Sequence, residues 1–237
     1  MLDVILIEPE NPGNIGAIAR VMKNFGFTKL VIVNPQCNHL DTESLKRSKH
    51  AQDILKNAVI TDKNVFNQYD YLIGTTAKLG TDYNIPRSPL TIREFSSVYI
   101  TLDLNTKIAL IIGREGIGLT NDEINKCDFM VTIPSSLDYP TLNISHAVAI
   151  LLYELFIVAK KPTRKDTITP ISNKEKQVLA EKLDLILEYL HFTTEDKKQT
   201  QRKVWNKIFA KSFVTKREAF VILGFFKKII ERFNKKS

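Results

Sequence analysis

Cysteine is scarce in this chain, with two in 237 residues, Cys37 and Cys127. Neither a disulfide framework nor a cysteine-based metal site can be built from them. The four histidines are scattered, so no metal is expected. Long apolar runs are missing too, and nothing approaches the roughly 18 residues that span a bilayer. A strand begins almost at once, at Val4 to Ile7, which leaves no room for a cleaved signal peptide. The expectation is a cytoplasmic protein that does not engage a membrane. Two nucleotide-binding signatures are absent as well. The chain carries neither a P-loop ending in Gly-Lys-Ser/Thr nor the dinucleotide fingerprint of closely spaced glycines.

Acidic residues become rare in the last third. From Met1 to Ala159 there are 14 Lys/Arg against 17 Asp/Glu, whereas from Lys160 to Ser237 there are 20 against 9. The net charge of +8 therefore comes entirely from the second segment. A field of that sign most often serves a polyanion, whose phosphates release counterions to lysine and arginine. The alternative is a merely solvated basic surface.

Up to Ala159 short apolar strands alternate with helical stretches. VILIE (Val4 to Glu8), KLVIV (Lys29 to Val33), YLIG (Tyr71 to Gly74), IALIIG (Ile108 to Gly113) and FMVTI (Phe129 to Ile133) are rich in Val and Ile. Continuous apolar runs of this length fit strands buried on both faces of a parallel sheet. A helix is expected over Ile15 to Phe25 with Asn14 as its cap. Thr91 to Glu94 and Thr120 to Glu123 have the spacing of capping boxes. The pattern predicts an α/β fold with a mainly parallel sheet and right-handed crossovers.

Residues 160–171 hold two prolines and few apolar groups, which reads as a linker. The remainder, 172–237, is purely helical. Leu179, Leu183, Ile186, Leu187 and Leu190 share one helical face, and Ile222, Phe226, Ile229, Ile230 and Phe233 share another. Ser172 to Glu175 and Thr215 to Glu218 again have capping-box spacing. Between these helices a basic one carries Lys197, Lys198, Arg202, Lys203 and Lys207 around Trp205.

Three segments carry chemistry. The first, EPENPGNIGAIAR (Glu8 to Arg20), follows the first strand; its glycines permit close approach, and Asn14 and Arg20 lie little more than one and a half helical turns apart. The second, IIGREGIGLTNDE (Ile111 to Glu123), is a glycine-broken turn from strand to helix, in which Glu115 could pair with Arg114 or Arg20. The third, VTIPSSLDYPTLNIS (Val131 to Ser145), runs from a strand through a polar loop to a helix capped at Asn143 or Ser145. Strand-to-helix junctions of this kind are where open α/β folds hold small polar ligands. His146 falls on the following helix, as a packed or capping residue.

In this order the segments closely resemble the three motifs of the SpoU/TrmH branch of the SPOUT RNA methyltransferases. The spacing and the appended helices look most like the TrmJ group. The resemblance covers roughly Met1 to Leu155 and extends to the helical tail only in kind. It implies a trefoil-knotted homodimer that binds S-adenosylmethionine. It also implies methyl transfer to a ribose 2′-hydroxyl of tRNA, at nucleotide 32 of the anticodon loop. The implied cofactor residues are Thr76, Ala77, Lys78, Gly113, Ile133, Thr141, Leu142 and Asn143. The implied catalytic set is Arg20, Asn14, Glu115, Thr141 and Asn143. Thr141 stands where many relatives have serine, and Lys78 where TrmJ-like relatives often have arginine. Ribosomal RNA or the tRNA wobble position are alternative targets, and an RNA-binding protein without catalysis is the reading from another class.

Overall fold

The computed structural model describes residues 2–77, 89–159, 170–211 and 214–234. The chain forms two compact units, Met1–Asp166 and Thr167–Ser237.

The first unit holds seven parallel strands in one sheet. They are β1 (Leu2–Ile7), β2 (Leu30–Val33), β3 (Val59–Thr61), β4 (Tyr71–Thr75), β5 (Leu90–Thr91), β6 (Ile108–Ile112) and β7 (Phe129–Thr132). Their order across the sheet is β3-β2-β1-β6-β4-β7-β5. All five expected strands are present. The two further ones, β3 and β5, are edge strands of two or three residues, too short to leave a periodic signature.

Successive side chains of a strand point to opposite faces. Ile5 and Ile7 of β1 join Val31, Val33, Ala109, Ile111, Leu72 and Met130 in a core on one face, closed by Val65, Phe66, Leu119, Ile124 and Cys127. Val4 and Leu6, directed to the other face, are buried as completely. Both faces are covered, which is why the strands read as unbroken apolar runs.

Helix α1 (Pro12–Asn24) follows β1 and buries Ile15, Ile18, Ala19 and Met22. Its cap is Asn11, whose Oδ1 accepts from the amides of Gly13 and Asn14. This corrects the expectation that Asn14 caps it: Pro12 at the first helical position starts the helix earlier. Asn14 is thereby inside the helix, with its side chain released for another task. Gly16 meets α2 (Thr42–Ser48) so closely that a β-carbon there would lie 2.1 Å from the Ser44 carbonyl oxygen. At the far end of α1, Phe25 packs against Tyr153 and Phe156 of α6 (Ile144–Ala159).

The expected capping boxes at Thr91 and Thr120 are formed, at the starts of α4 (Ile92–Tyr99) and α5 (Asn121–Lys126). Among the described residues the remaining α-helix of this unit is α3 (Gln52–Lys56).

The second unit contains α7 (Asn173–Tyr189), α8 (Glu195–Lys211) and α9 (Lys216–Asn234). Ser172 makes its capping box, and Thr215 and Glu218 exchange the equivalent bonds. Leu179, Leu183, Ile186 and Leu187 build the core with Phe209, Val214, Ala219 and Phe226, and Ile222, Ile229 and Ile230 pack around it. Leu190, expected on the same stripe, is 43% exposed because α7 ends one residue before it. Phe233 stacks on Tyr189 instead of entering that core. Residues 160–169 of the expected linker lie outside the described residues. Its last residue, Ile171, is buried in the helical core, where its amide bonds to the Val214 carbonyl.

Among the described residues, no helix is long and apolar enough to cross a membrane. Nor does any group of three His, Cys, Asp or Glu there have the geometry to hold a metal ion.

Candidate active site

The carboxyl ends of the adjacent strands β6, β4 and β7 open onto one cavity of about 200 Å³. Parallel strands end there with backbone groups no neighbour uses, the usual ligand position in open α/β sheets. The strand ends are tied together: the Thr76 amide donates to the Val131 carbonyl at 3.0 Å, and Thr75 Oγ1 to the Ile111 carbonyl at 3.0 Å. Of the expected cofactor residues, Thr76, Ala77, Gly113, Ile133, Thr141 and Leu142 line this cavity. Lys78 lies outside the described residues. The rest of the wall is largely apolar, including Ile112, Leu119, Ile144 and Leu151.

Gly113 marks the tightest point. A β-carbon there would sit 2.3 Å from the Gly118 carbonyl carbon, because the loop folds back on itself. Arg114 and Gly118 exchange backbone hydrogen bonds at 3.2 and 3.1 Å, and Gly116 and Gly118 take left-handed φ values of 82° and 72°. Larger residues would be strained at both.

Beside the cavity a chain of hydrogen bonds joins the three sequence segments. Asn143 Nδ2 donates to Asn14 Oδ1 at 3.1 Å, and Asn14 Nδ2 donates to Glu115 Oε1 at 3.2 Å. The other carboxylate oxygen of Glu115 accepts from the Glu10 amide at 3.2 Å. Asn143 Oδ1 accepts from the amide and hydroxyl of Ser145 at 2.9 and 2.7 Å, which makes Asn143 the cap of α6. With its oxygen engaged there, only the amide group of Asn143 can face Asn14, so the direction of the chain is set. His146 is exposed on α6, neither packed nor capping.

The structure separates the two arginines. Arg114 does not pair with Glu115. Its guanidinium instead reaches Glu8 at 2.7 Å and both oxygens of Glu123 at 2.9 and 3.0 Å. Lys63 adds a 2.7 Å contact to Glu123. Burial raises the Glu123 carboxyl, but the hydrogen bonds from Arg114, Lys63 and Thr120 outweigh it and hold the pKa at about 2. The hydrogen bond from Arg114, partly opposed by burial, lowers Glu8 as well. Arg20, by contrast, is exposed on α1 and pairs with none of the described residues. It is not drawn into the Asn14–Glu115 chain, because six residues along a helix turn it about 120° away from Asn14.

Sequence reasoning overlooked the ion-pair quartet of Glu8, Arg114, Glu123 and Lys63. Its one legible trace was the capping box at Thr120, which accounted for Glu123 without suggesting a second role for it.

The SpoU rRNA Methylase family model matches residues 1–153 of this chain. The chain belongs to the SpoU methylase family. Among SpoU relatives it is 34% identical to the tRNA (cytidine-2′-O-)-methyltransferase TrmJ of Methanocaldococcus jannaschii, over 96% of this chain and 99% of that protein. In fold it is similar to TrmJ from Z. mobilis ZM4, with a TM-score of 0.70, 20% identity, and 97% and 99% of the two chains covered. It is similar in the same sense to the SpoU methyltransferase AviRb from Streptomyces viridochromogenes in complex with AdoMet. There the TM-score is 0.52, at 24% identity over 66% of this chain and 57% of that one. In this chain, the cavity and the Asn143–Asn14–Glu115 chain are where the three sequence segments meet.

Proposed function

We propose that this chain transfers a methyl group from S-adenosylmethionine to the ribose 2′-hydroxyl of tRNA, at nucleotide 32 of the anticodon loop, in the cytoplasm. The observation that carries the reading is the hydrogen-bonded chain from Asn143 through Asn14 to Glu115, at the edge of a cavity lined by six of the residues expected to hold the cofactor.

The residues fit the group. A flat adenine suits a wall of Ile112, Leu119, Leu142 and Leu151, and its polar edge suits the backbone at the strand ends. Thr76, Ala77, Gly113, Ile133, Thr141, Leu142 and Asn143 would hold it. When bound, S-adenosylmethionine supplies a methyl group on a sulfonium, an electrophile that needs no metal.

The chain's own residues then position the nucleophile, and the proton that its hydroxyl loses passes to water. Arginine keeps its proton at any ordinary pH. Arg20 therefore acts as an exposed cation that fixes an RNA phosphate and stabilises the developing alkoxide. Glu115, with both oxygens already accepting hydrogen bonds, orients Asn14, and Asn14 in turn meets Asn143. Positioning of this kind supplies much of the barrier reduction in a transfer that needs an in-line donor.

The same reading includes a trefoil knot in the loops that form the cavity and a homodimer. Ile150, Tyr153 and Ile157 of α6 are 37%, 47% and 36% exposed at helical spacing, a stripe suited to a second copy. The basic helical unit, with Lys197, Lys203 and Lys211 exposed, grips the tRNA.

Mass-spectrometric mapping of methylated ribose, after incubating tRNA with the protein and S-adenosylmethionine, tests the proposal. One 2′-O-methyl group at nucleotide 32 is expected. Methylation confined to the wobble nucleotide, or none at all, contradicts it.

A further inference from the structure

We propose that Glu8 is a positioning residue: clamped by Arg114, it sets the register between the start of α1, which carries Asn14, and the loop that walls the cofactor cavity.

Two consecutive residues of that loop hold opposite ends of one short segment. Arg114 Nε donates to Glu8 Oε2 at 2.7 Å, and Glu115 Oε2 accepts from the Glu10 amide at 3.2 Å. Pro9, between them, is buried. Asn11, next in line, caps α1, and Asn14 lies three residues beyond it. The segment is held against its own preference. Glu8 has a φ of +46°, in the left-handed region where a residue with a β-carbon is strained. Its amide is anchored to the Val33 carbonyl at 2.8 Å, so any relaxation must occur on the Asn14 side.

Arg114 is anchored independently at its other nitrogens. Its bidentate pair with Glu123 and its bond to the Gly118 carbonyl at 3.3 Å engage both terminal nitrogens and leave Nε for Glu8. The Glu8 side chain is 27% exposed, against 2% for Glu123. What Glu8 adds is a connection between two parts of the site. Arg114 follows Gly113 in the cavity wall, and Glu8 leads into the segment that places Asn14 against Asn143. A shift of about 1 Å at a reacting centre costs on the order of a hundredfold in rate, so a clamp between donor side and acceptor side is read in turnover rather than in cofactor affinity.

The inference rests on the methyltransferase reading for its kinetic arm and on geometry alone for its exchange arm. Glu8→Ala and Glu8→Gln are compared in the full chain. Three quantities are read: S-adenosylhomocysteine affinity by calorimetry, hydrogen exchange of a peptide spanning Glu8 to Ile15, and kcat and KM on tRNA. In Glu8→Ala, exchange over that peptide accelerates and kcat falls at least about tenfold with KM little changed, while S-adenosylhomocysteine affinity stays within about threefold. Glu8→Gln, whose amide oxygen still accepts from Arg114, restores most of kcat and the slow exchange. Unchanged exchange in Glu8→Ala overturns the clamp. So does a loss of S-adenosylhomocysteine affinity parallel to the loss of kcat, and so does a Glu8→Gln no better than Glu8→Ala. An unmodified chain inactive on tRNA would fell the methyltransferase reading, yet the exchange comparison would still decide the clamp.

Discussion

Asn143 donates its amide to Asn14 at 3.1 Å, although 129 positions of chain separate them. The contact joins the start of α6 to the first turn of α1, and Asn14 passes it on to Glu115. Each member is both partner and support for the next, so removing one affects the whole set.

Asn14→Ala should lower kcat by at least about tenfold and leave the fold standing, at a cost of roughly 1–3 kcal/mol for the partners it strands. Radiolabelled methyl transfer and a thermal melt read the two effects separately. Asn143→Ala removes the cap of α6 as well, and about 1 kcal/mol more should be lost. Equal turnover in Asn14→Ala and the unmodified chain would show that the relay is structural only.

Arg20→Lys keeps the charge but not the planar fork that grips a phosphate. Its kcat/KM should fall while S-adenosylhomocysteine binding holds. Glu115→Gln should also slow turnover, because an amide cannot accept from Asn14 and the Glu10 amide as two carboxylate oxygens do. If Glu115 only orients, the rise of rate with pH on the acidic limb of the pH-rate profile persists in Glu115→Gln; loss of that limb would make Glu115 the base.

Acid stability follows from the quartet around Arg114. Glu123, at about 2, and Glu8, lowered too, both lie below their usual value of 4.5. A depressed carboxylate contributes stability that is present above the unfolded value and lost as pH falls through the folded one. For Glu123 the loss therefore runs from about pH 4.5 down to about 2. Denaturant midpoints across that range should drop less steeply in Glu123→Gln, although that variant will be weaker at neutral pH. An unchanged slope would mean that Glu123 is not held as an anion.

Replacing Lys197, Lys203 and Lys211 by alanine should weaken tRNA binding and leave S-adenosylhomocysteine affinity intact. If these cations touch phosphates, the dependence of affinity on salt should also flatten, by up to about 0.9 in log-log slope per lost contact. Affinity and slope unchanged in filter binding would assign the positive field to solvation alone.

Much of this was readable along the chain. Val4 to Ile7 and Ile108 to Ile112 are unbroken apolar runs because both faces of the sheet are covered, and burial on both sides leaves a one-dimensional trace. Thr91, Thr120 and Ser172 are legible as caps because a capping box closes within four residues. The order of the three segments likewise lay in the sequence. What it left undecided depended on which groups meet through space. Glu115 has Arg114 beside it in sequence, but neighbours on a tight loop point apart, and the partner that reaches it is Asn14. Asn14 looked like a cap until Pro12 moved the helix start forward and freed its side chain. Long-range pairing of single polar atoms leaves no period and no local motif. Only the parallel sheet, by bringing the ends of β1, β6 and β7 to one edge, decided that Asn143, Asn14 and Glu115 form one chain and that Arg114 is spent on Glu8 and Glu123.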